Sequence, residues 1–242
     1  MVDILQIVLA AFIAGLLDTV VGFGGGLLLL PILVGLVGTA DAVVLTALIP
    51  FGWNIPRIPF LRPFLDLRAI MLFALGIVPG AFLGGLFLNK IDVDQLRFAI
   101  GLLLIALGLL HILRLYVELP VRNLSERWSF PVVGFLAGAL TAILGAGNGP
   151  LQSWTMSATG LVPQTIVAVN GVLGVLSGGV RLIAYGLEGM LQNFPWVMAG
   201  AGFVSAVIGA IAGIRISRRA SDSTLKLIIG IVIVIAGVRL MV

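Results

Sequence analysis

The sequence has no cysteine, one histidine and few charges, and each scarcity excludes a class of function. Without cysteine there is no disulfide, no zinc–thiolate site and no redox thiol. One histidine, His111, cannot build a metal site alone, and beside Arg114 it reads as structural or interfacial. With no cysteine, one histidine and few acids inside apolar sequence, little remains for a catalytic set. No enzyme activity, cofactor or metal is expected. No G-x-x-x-x-G-K-[ST] phosphate loop is present, so a chain that moves a solute would draw on gradients or on a partner. Only 10% of residues are charged, too few to cover a soluble domain. The opening "MVDILQIVLA" has no basic leader region and reads as a first helix, not a cleaved signal.

What is present is apolar. Hydrophobic residues make up 60% of the 242 positions, and the mean hydropathy is +1.23. The run Ala69–Leu88 carries no charge and has about the 20 residues that a spanning helix needs. Lipid admits only helices or closed barrels, and the short alternating segments of a barrel are missing. The expected fold class is therefore an all-α integral membrane protein. The formal net charge of +4 sits in short loops between apolar runs, which is a topology signal and not a nucleic-acid footprint.

The apolar segments recur in one order. Ile4–Val21, Gly26–Leu36, Ala42–Asn54, Ala69–Leu88 and Leu96–Tyr116 are followed by a polar linker over 117–129. Then come Pro131–Leu144, Pro150–Thr159, Gln164–Tyr185, Phe194–Ile214 and Ser223–Met241. "GFGGG" from Gly22 matches "GAGNG" from Gly145, and "QLRFAIGLLLIALG" resembles "TLKLIIGIVIVIAG". The chain is thus expected to be one membrane domain with two repeats, over about 4–116 and 130–242. An odd number of crossings per repeat inverts the halves and puts ten of the 14 Lys and Arg residues on one side. An even number gives a weaker split of eight against six, so the positive-inside rule favours inversion.

The glycine clusters interrupt apolar sequence where interruption is costly. Each glycine weakens a helix by roughly 1 kcal/mol relative to alanine. N–H groups freed in lipid cost several kcal/mol each unless something binds them. Such backbone survives where it is buried in protein or lines a cavity, and helix starts inside transporters face anions. In the second cluster Pro150 suits the first turn of a new helix, and Asn148 offers an N-cap or an amide donor. The segment after each cluster is too short to span. The plainer reading, close helix packing, suits other glycines such as Gly80–Gly84 and Gly134–Gly138. A dinucleotide loop is a poor fit, since "GFGGGL" lacks the final glycine and follows no strand.

The element G-x-G-G-G-x-x-x-x-P, at Gly22, Gly24, Gly25, Gly26 and Pro31, resembles the sulfite exporter TauE/SafE family, also called TSUP. The second copy departs from it, with Asn148 for the middle glycine and Trp154 where the proline would stand. The resemblance covers nearly the whole chain. It implies transport of sulfite, organosulfonates or similar small anions across the cytoplasmic membrane of a prokaryote. The implied partners are a small anion and the lipid bilayer; a homodimer stays open.

Polar residues inside apolar sequence complete the candidate site. Substrate-binding candidates are Gly22, Gly24, Gly25, Gly26, Gly145, Gly147, Asn148, Gly149 and Gln152, with Asn54, Asn170, Arg57 and Arg181. Arg57 supplies a planar charge for an oxyanion or snorkels to the interface. Arg181, with Tyr185 nearby, occupies the corresponding place in the second half. Asn170 either binds substrate or bonds between helices, and Ser153 and Thr155 follow the second cluster. Asp18, one turn before Gly22, either couples transport to protons or satisfies the broken helix as a fixed carboxylate. Thr141 matches it. Trp128 and Trp196 read as interface anchors, and Trp154 as a pocket wall. The reading is a secondary transporter whose glycine-broken helices meet near the midplane. An anion channel with the same site and a non-transporting scaffold are the alternatives.

Overall fold

The computed structural model describes residues 2–22, 24–116, 125–192, 194–216 and 223–241, and every regular element among them is helical. The first five helices are α1 (Val2–Val21), α2 (Gly25–Val37), α3 (Thr39–Leu61), α4 (Leu67–Leu88) and α5 (Val93–Tyr116). The second five are α6 (Glu126–Leu144), α7 (Asn148–Ala158), α8 (Pro163–Leu187), α9 (Trp196–Ile216) and α10 (Ser223–Met241). The expected linker lies mostly outside the described residues. Among the described residues six helices, α3, α4, α5, α6, α8 and α9, are long and apolar enough to cross a membrane. At 13 and 11 residues, α2 and α7 reach about 20 and 16 Å, short of a hydrocarbon core of roughly 30 Å.

Packing follows small residues. Helix α4 lies on α6, α1 on α9, α5 on α10 and α3 on α8. Gly76, Gly80 and Gly84 of α4 face the backbone of Pro131, Phe135 and Ala139 on α6. In return, a Cβ at Gly134 would stand 2.6 Å from the Phe73 carbonyl oxygen, and one at Gly138 would stand 2.7 Å from that of Ile77. The α1–α9 contact is built alike, with Gly209 against the Phe12 carbonyl and Gly15 against that of Ala206. Lipid is as apolar as a leucine side chain, so helices gain little by hiding leucines and associate through close backbone approach. The large apolar side chains consequently point outward: Leu67, Met71, Leu75 and Val78 form an exposed stripe on α4. Trp128 and Trp196 are exposed near helix starts, as interface anchors require.

One expected boundary moves. The apolar reading stopped at Asn54, yet α3 continues to Leu61 through Pro50, Pro56 and Pro59. Each proline deletes an N–H and frees the carbonyl four residues earlier. The Thr46 carbonyl, freed by Pro50, finds another partner, and it leads to the site below. The extension places Arg57 within α3, and Arg181 lies within α8; both are buried and neither is a loop residue. Under the expected inversion, taking Arg57 from the ten and Arg181 from the four leaves nine basic residues against three.

Candidate functional site

Both glycine clusters break the helix in the same way. Helix α1 ends at Val21 and α6 at Leu144; the turn then passes through Gly22 at φ 94° and Gly145 at φ 77°. The new helices start at Gly24, with φ 105° and ψ −16°, and Gly147, with φ 114° and ψ −18°. Side chains strain in this left-handed region, which is why glycine holds these four positions. Gly147, and not Asn148, is the N-cap of α7; Asn148 is its first helical residue and Pro150 lies in the first turn.

Between the two breaks lies a cavity of ≈ 110 Å³. Most of the sequence candidates line it: Gly22, Gly24, Gly26, Gly145, Gly147, Asn148, Gly149, Gln152, Asn54, Asn170, Arg57, Arg181 and Asp18. Gly25 does not. Its N–H donates to Asp18 Oδ1 at 2.9 Å, and a Cβ there would come within 2.7 Å of Asp18 Cβ. Trp154 does not line this cavity either; with His111, Leu27 and Pro150 it borders a smaller space next to it.

The cavity also gathers residues that the sequence reading passed over, among them Thr46, Pro50, Trp53, Gly174 and Ser177. Two signals pointed to Ser177 and Thr46. Ser177 stands 32 residues after Gly145, as Asn54 stands 32 after Gly22. Thr46 lies four residues before Pro50, so its carbonyl loses its helical donor. Arg181 takes that carbonyl: Nη1 donates to Thr46 O at 3.2 Å, and Nη2 donates to Val43 O at 2.8 Å and Thr46 Oγ1 at 2.9 Å. Its Nε donates to Tyr185 Oη at 3.0 Å, and the Tyr185 hydroxyl donates to Ala142 O at 2.5 Å, near the end of α6.

Arg57 does the matching work at the end of α1. Its Nη1 donates to Asp18 O at 2.9 Å, its Nη2 donates to Asn54 Oδ1 at 2.5 Å, and Nη2 pairs with Asp18 Oδ2 at 2.9 Å. Both arginine side chains are buried, which isolated charges do not tolerate in an apolar interior. Arg57 has a carboxylate partner. Arg181 has carbonyls and hydroxyls, and among the described residues no carboxylate pairs with it.

Four buried polar atoms lack a partner among the described residues: Arg57 Nε, Gln152 Oε1, Asn170 Oδ1 and Ser177 Oγ. All four residues line the cavity. Buried polar atoms are ordinarily bonded, so this concentration marks a place that a polar occupant completes. The amides can supply donors there. Asn170 Nδ2 donates to Ser153 Oγ at 2.7 Å; a half-turn of the amide keeps this bond, with the hydroxyl donating, and turns NH2 to the cavity. Gln152 Nε2 donates to Asn148 Oδ1, so its amide can turn only if that of Asn148 turns with it. Chemically, the cavity offers one uncompensated guanidinium, hydroxyl and amide donors, and the starts of two helices. Among the described residues no cluster of metal-ligating side chains occurs.

Comparison with known proteins agrees with this architecture. The family described as sulfite exporter TauE/SafE matches residues 7–240. A probable sulfite/organosulfonate exporter TauE of Cupriavidus necator is 25% identical over 231 residues, covering 93% of this chain and 88% of the relative. Probable membrane transporter proteins of Methanocaldococcus jannaschii and Bacillus subtilis are each 23% identical, over 96% and 97% of this chain and 92% and 96% of theirs. No solved structure matches. The chain belongs to the sulfite exporter TauE/SafE family and is a multi-pass prokaryotic membrane transporter.

Proposed function

We propose that the chain carries sulfite, an organosulfonate or a similar small oxyanion across the cytoplasmic membrane, bound in the cavity between the two glycine breaks. The observation that carries this reading is the buried Arg181, which lacks a carboxylate partner beside a cavity ringed by unpartnered polar atoms. A guanidinium bound only to carbonyls and hydroxyls is the charge an anion would balance. Asn148 and Gly149 start α7 at the cavity, and among the described residues no acceptor meets their N–H groups.

Alternating access would come from two inverted repeats, α1–α5 and α6–α10. The packing pairs support a two-fold repeat: exchanging the halves turns the α1–α9 contact into the α6–α4 contact and returns α3–α8 and α5–α10 to themselves. Asp18, bound by Arg57 and by the Gly25 N–H, has the partners of a fixed carboxylate, which favours the structural role over proton coupling.

The test is uptake by proteoliposomes. Sulfite or a short organosulfonate should accumulate with saturating kinetics. No uptake of any sulfur oxyanion defeats the substrate reading, and non-saturating flux at channel rates defeats the carrier. For the repeats, cysteine introduced singly at Phe64 and Gln192 should be labelled from opposite faces. Labelling from the same face defeats inversion.

A further inference from the structure

The cavity's ionisable groups can be counted element by element. Helix α1 contributes Asp18, α3 contributes Arg57, and α8 contributes Arg181 with the Tyr185 phenol behind it. The described lining residues from α2, α6 and α7 are not ionisable. Asp18 and Arg57 cancel in a buried pair at 2.9 Å. The helix termini add no net charge, since the ends of α1 and α6 and the starts of α2 and α7 all meet here, although the Asn148 and Gly149 N–H groups remain as donors. One full positive charge, that of Arg181, remains.

Resting on the anion-carrier reading, we infer that the site selects a monovalent oxyanion over a divalent one of the same shape. A monoanion brings the buried site to neutrality. A dianion leaves one negative charge uncompensated among groups that are almost fully buried: the Arg57 and Arg181 residues are each only 3% exposed. Uncompensated charge is far more costly there than in water. Size points the same way. The cavity of ≈ 110 Å³ is small, so an oxyanion bound in it lies close to the buried Arg57 and Arg181 that line it.

Calorimetric titration of the purified full chain with three probes tests this. Methanesulfonate, a permanent monoanion, is expected to bind at least tenfold tighter than sulfate. Methyl phosphate loses its second proton near pH 6, so its affinity should fall about tenfold per pH unit above that, while methanesulfonate stays level. Asp18→Asn adds a net positive charge and should shrink the methanesulfonate-to-sulfate ratio at least tenfold. Should that variant fail to fold, the methyl phosphate series on the unaltered protein decides alone. Sulfate binding as tightly as methanesulfonate, methyl phosphate tightening as it becomes a dianion, or a folded Asp18→Asn protein with an unchanged ratio each overturns the inference and leaves the anion site standing. No binding of any probe overturns the anion site and the inference with it.

Discussion

Gly24 and Gly147 hold nearly the same backbone angles, yet the two helix starts are finished with opposite chemistry. At the first, the Asp18 carboxylate binds the Gly25 N–H and pairs with Arg57, so the positive helix start is answered from within the protein. At the second, Thr141 stands in the place of Asp18, and its hydroxyl reaches only the Ala146 carbonyl at 3.4 Å. Asn148 replaces Gly25 and engages Gln152 instead of a carboxylate. The same division runs through the arginines: Arg57 is neutralised and Arg181 is not. Matched backbone thus does not imply matched function. The first break is closed by charge, whereas three of the four unpartnered side-chain atoms around the cavity, on Gln152, Asn170 and Ser177, belong to the second half of the chain.

The comparison can be broken experimentally, beginning with its largest consequence. Arg57→Ala strands the buried Asp18 carboxylate and is expected to cost about 3–5 kcal/mol of stability. Thr141→Val removes one hydroxyl and should cost about 1 kcal/mol. Unfolding in detergent checks both, and equal losses would mean that charge does not close the first break. Next, Arg181→Gln is expected to lower anion affinity by about 100-fold or more, the scale of a buried charge-assisted contact of roughly 3 kcal/mol. Calorimetry reads this loss, and unchanged affinity would remove Arg181 from the site.

Gly25 and Gly26 separate scaffold from lining within one cluster. A Cβ at Gly25 collides with the backbone of Ala14, whereas at Gly26 nothing lies within 4 Å. Gly25→Ala should therefore lower stability by about 1–3 kcal/mol, as overpacking does, while Gly26→Ala keeps the fold and weakens binding several-fold. A thermal scan with and without anion distinguishes them; the reverse order would mean that the lining is misassigned. The smallest effect belongs to Ser177→Ala. Its hydroxyl has no partner to lose among the described residues, so stability should hold and affinity fall two- to fivefold, about 0.5–1 kcal/mol. A clear loss of stability would show that the hydroxyl is structural.

Much of this site was legible because polar residues are rare in so apolar a chain. Asp18, Asn54, Arg57, Asn170 and Arg181 stand out from their surroundings and all border one cavity. Gly25 was grouped with the lining because glycines within a motif look alike in sequence, whereas the neighbours of each are set by helices distant in the chain. Thr46 and Ser177 were missed because a lone hydroxyl inside a membrane helix ordinarily bonds to its own backbone, as Thr46 does to Val43 O at 2.7 Å. Only the approach of Arg181 gives Thr46 a second role.

Composition alone determined the class of the molecule: with charges this few and apolar runs this long, water cannot solvate the folded chain and lipid must. Glycine placement determined where helices break, because only glycine takes the left-handed turn without strain. The division of labour between the two breaks was decided by the tertiary structure. Whether a buried arginine is neutralised depends on which carboxylate comes within about 4 Å of it, and Coulomb interaction at that range follows distance in space, not position in sequence.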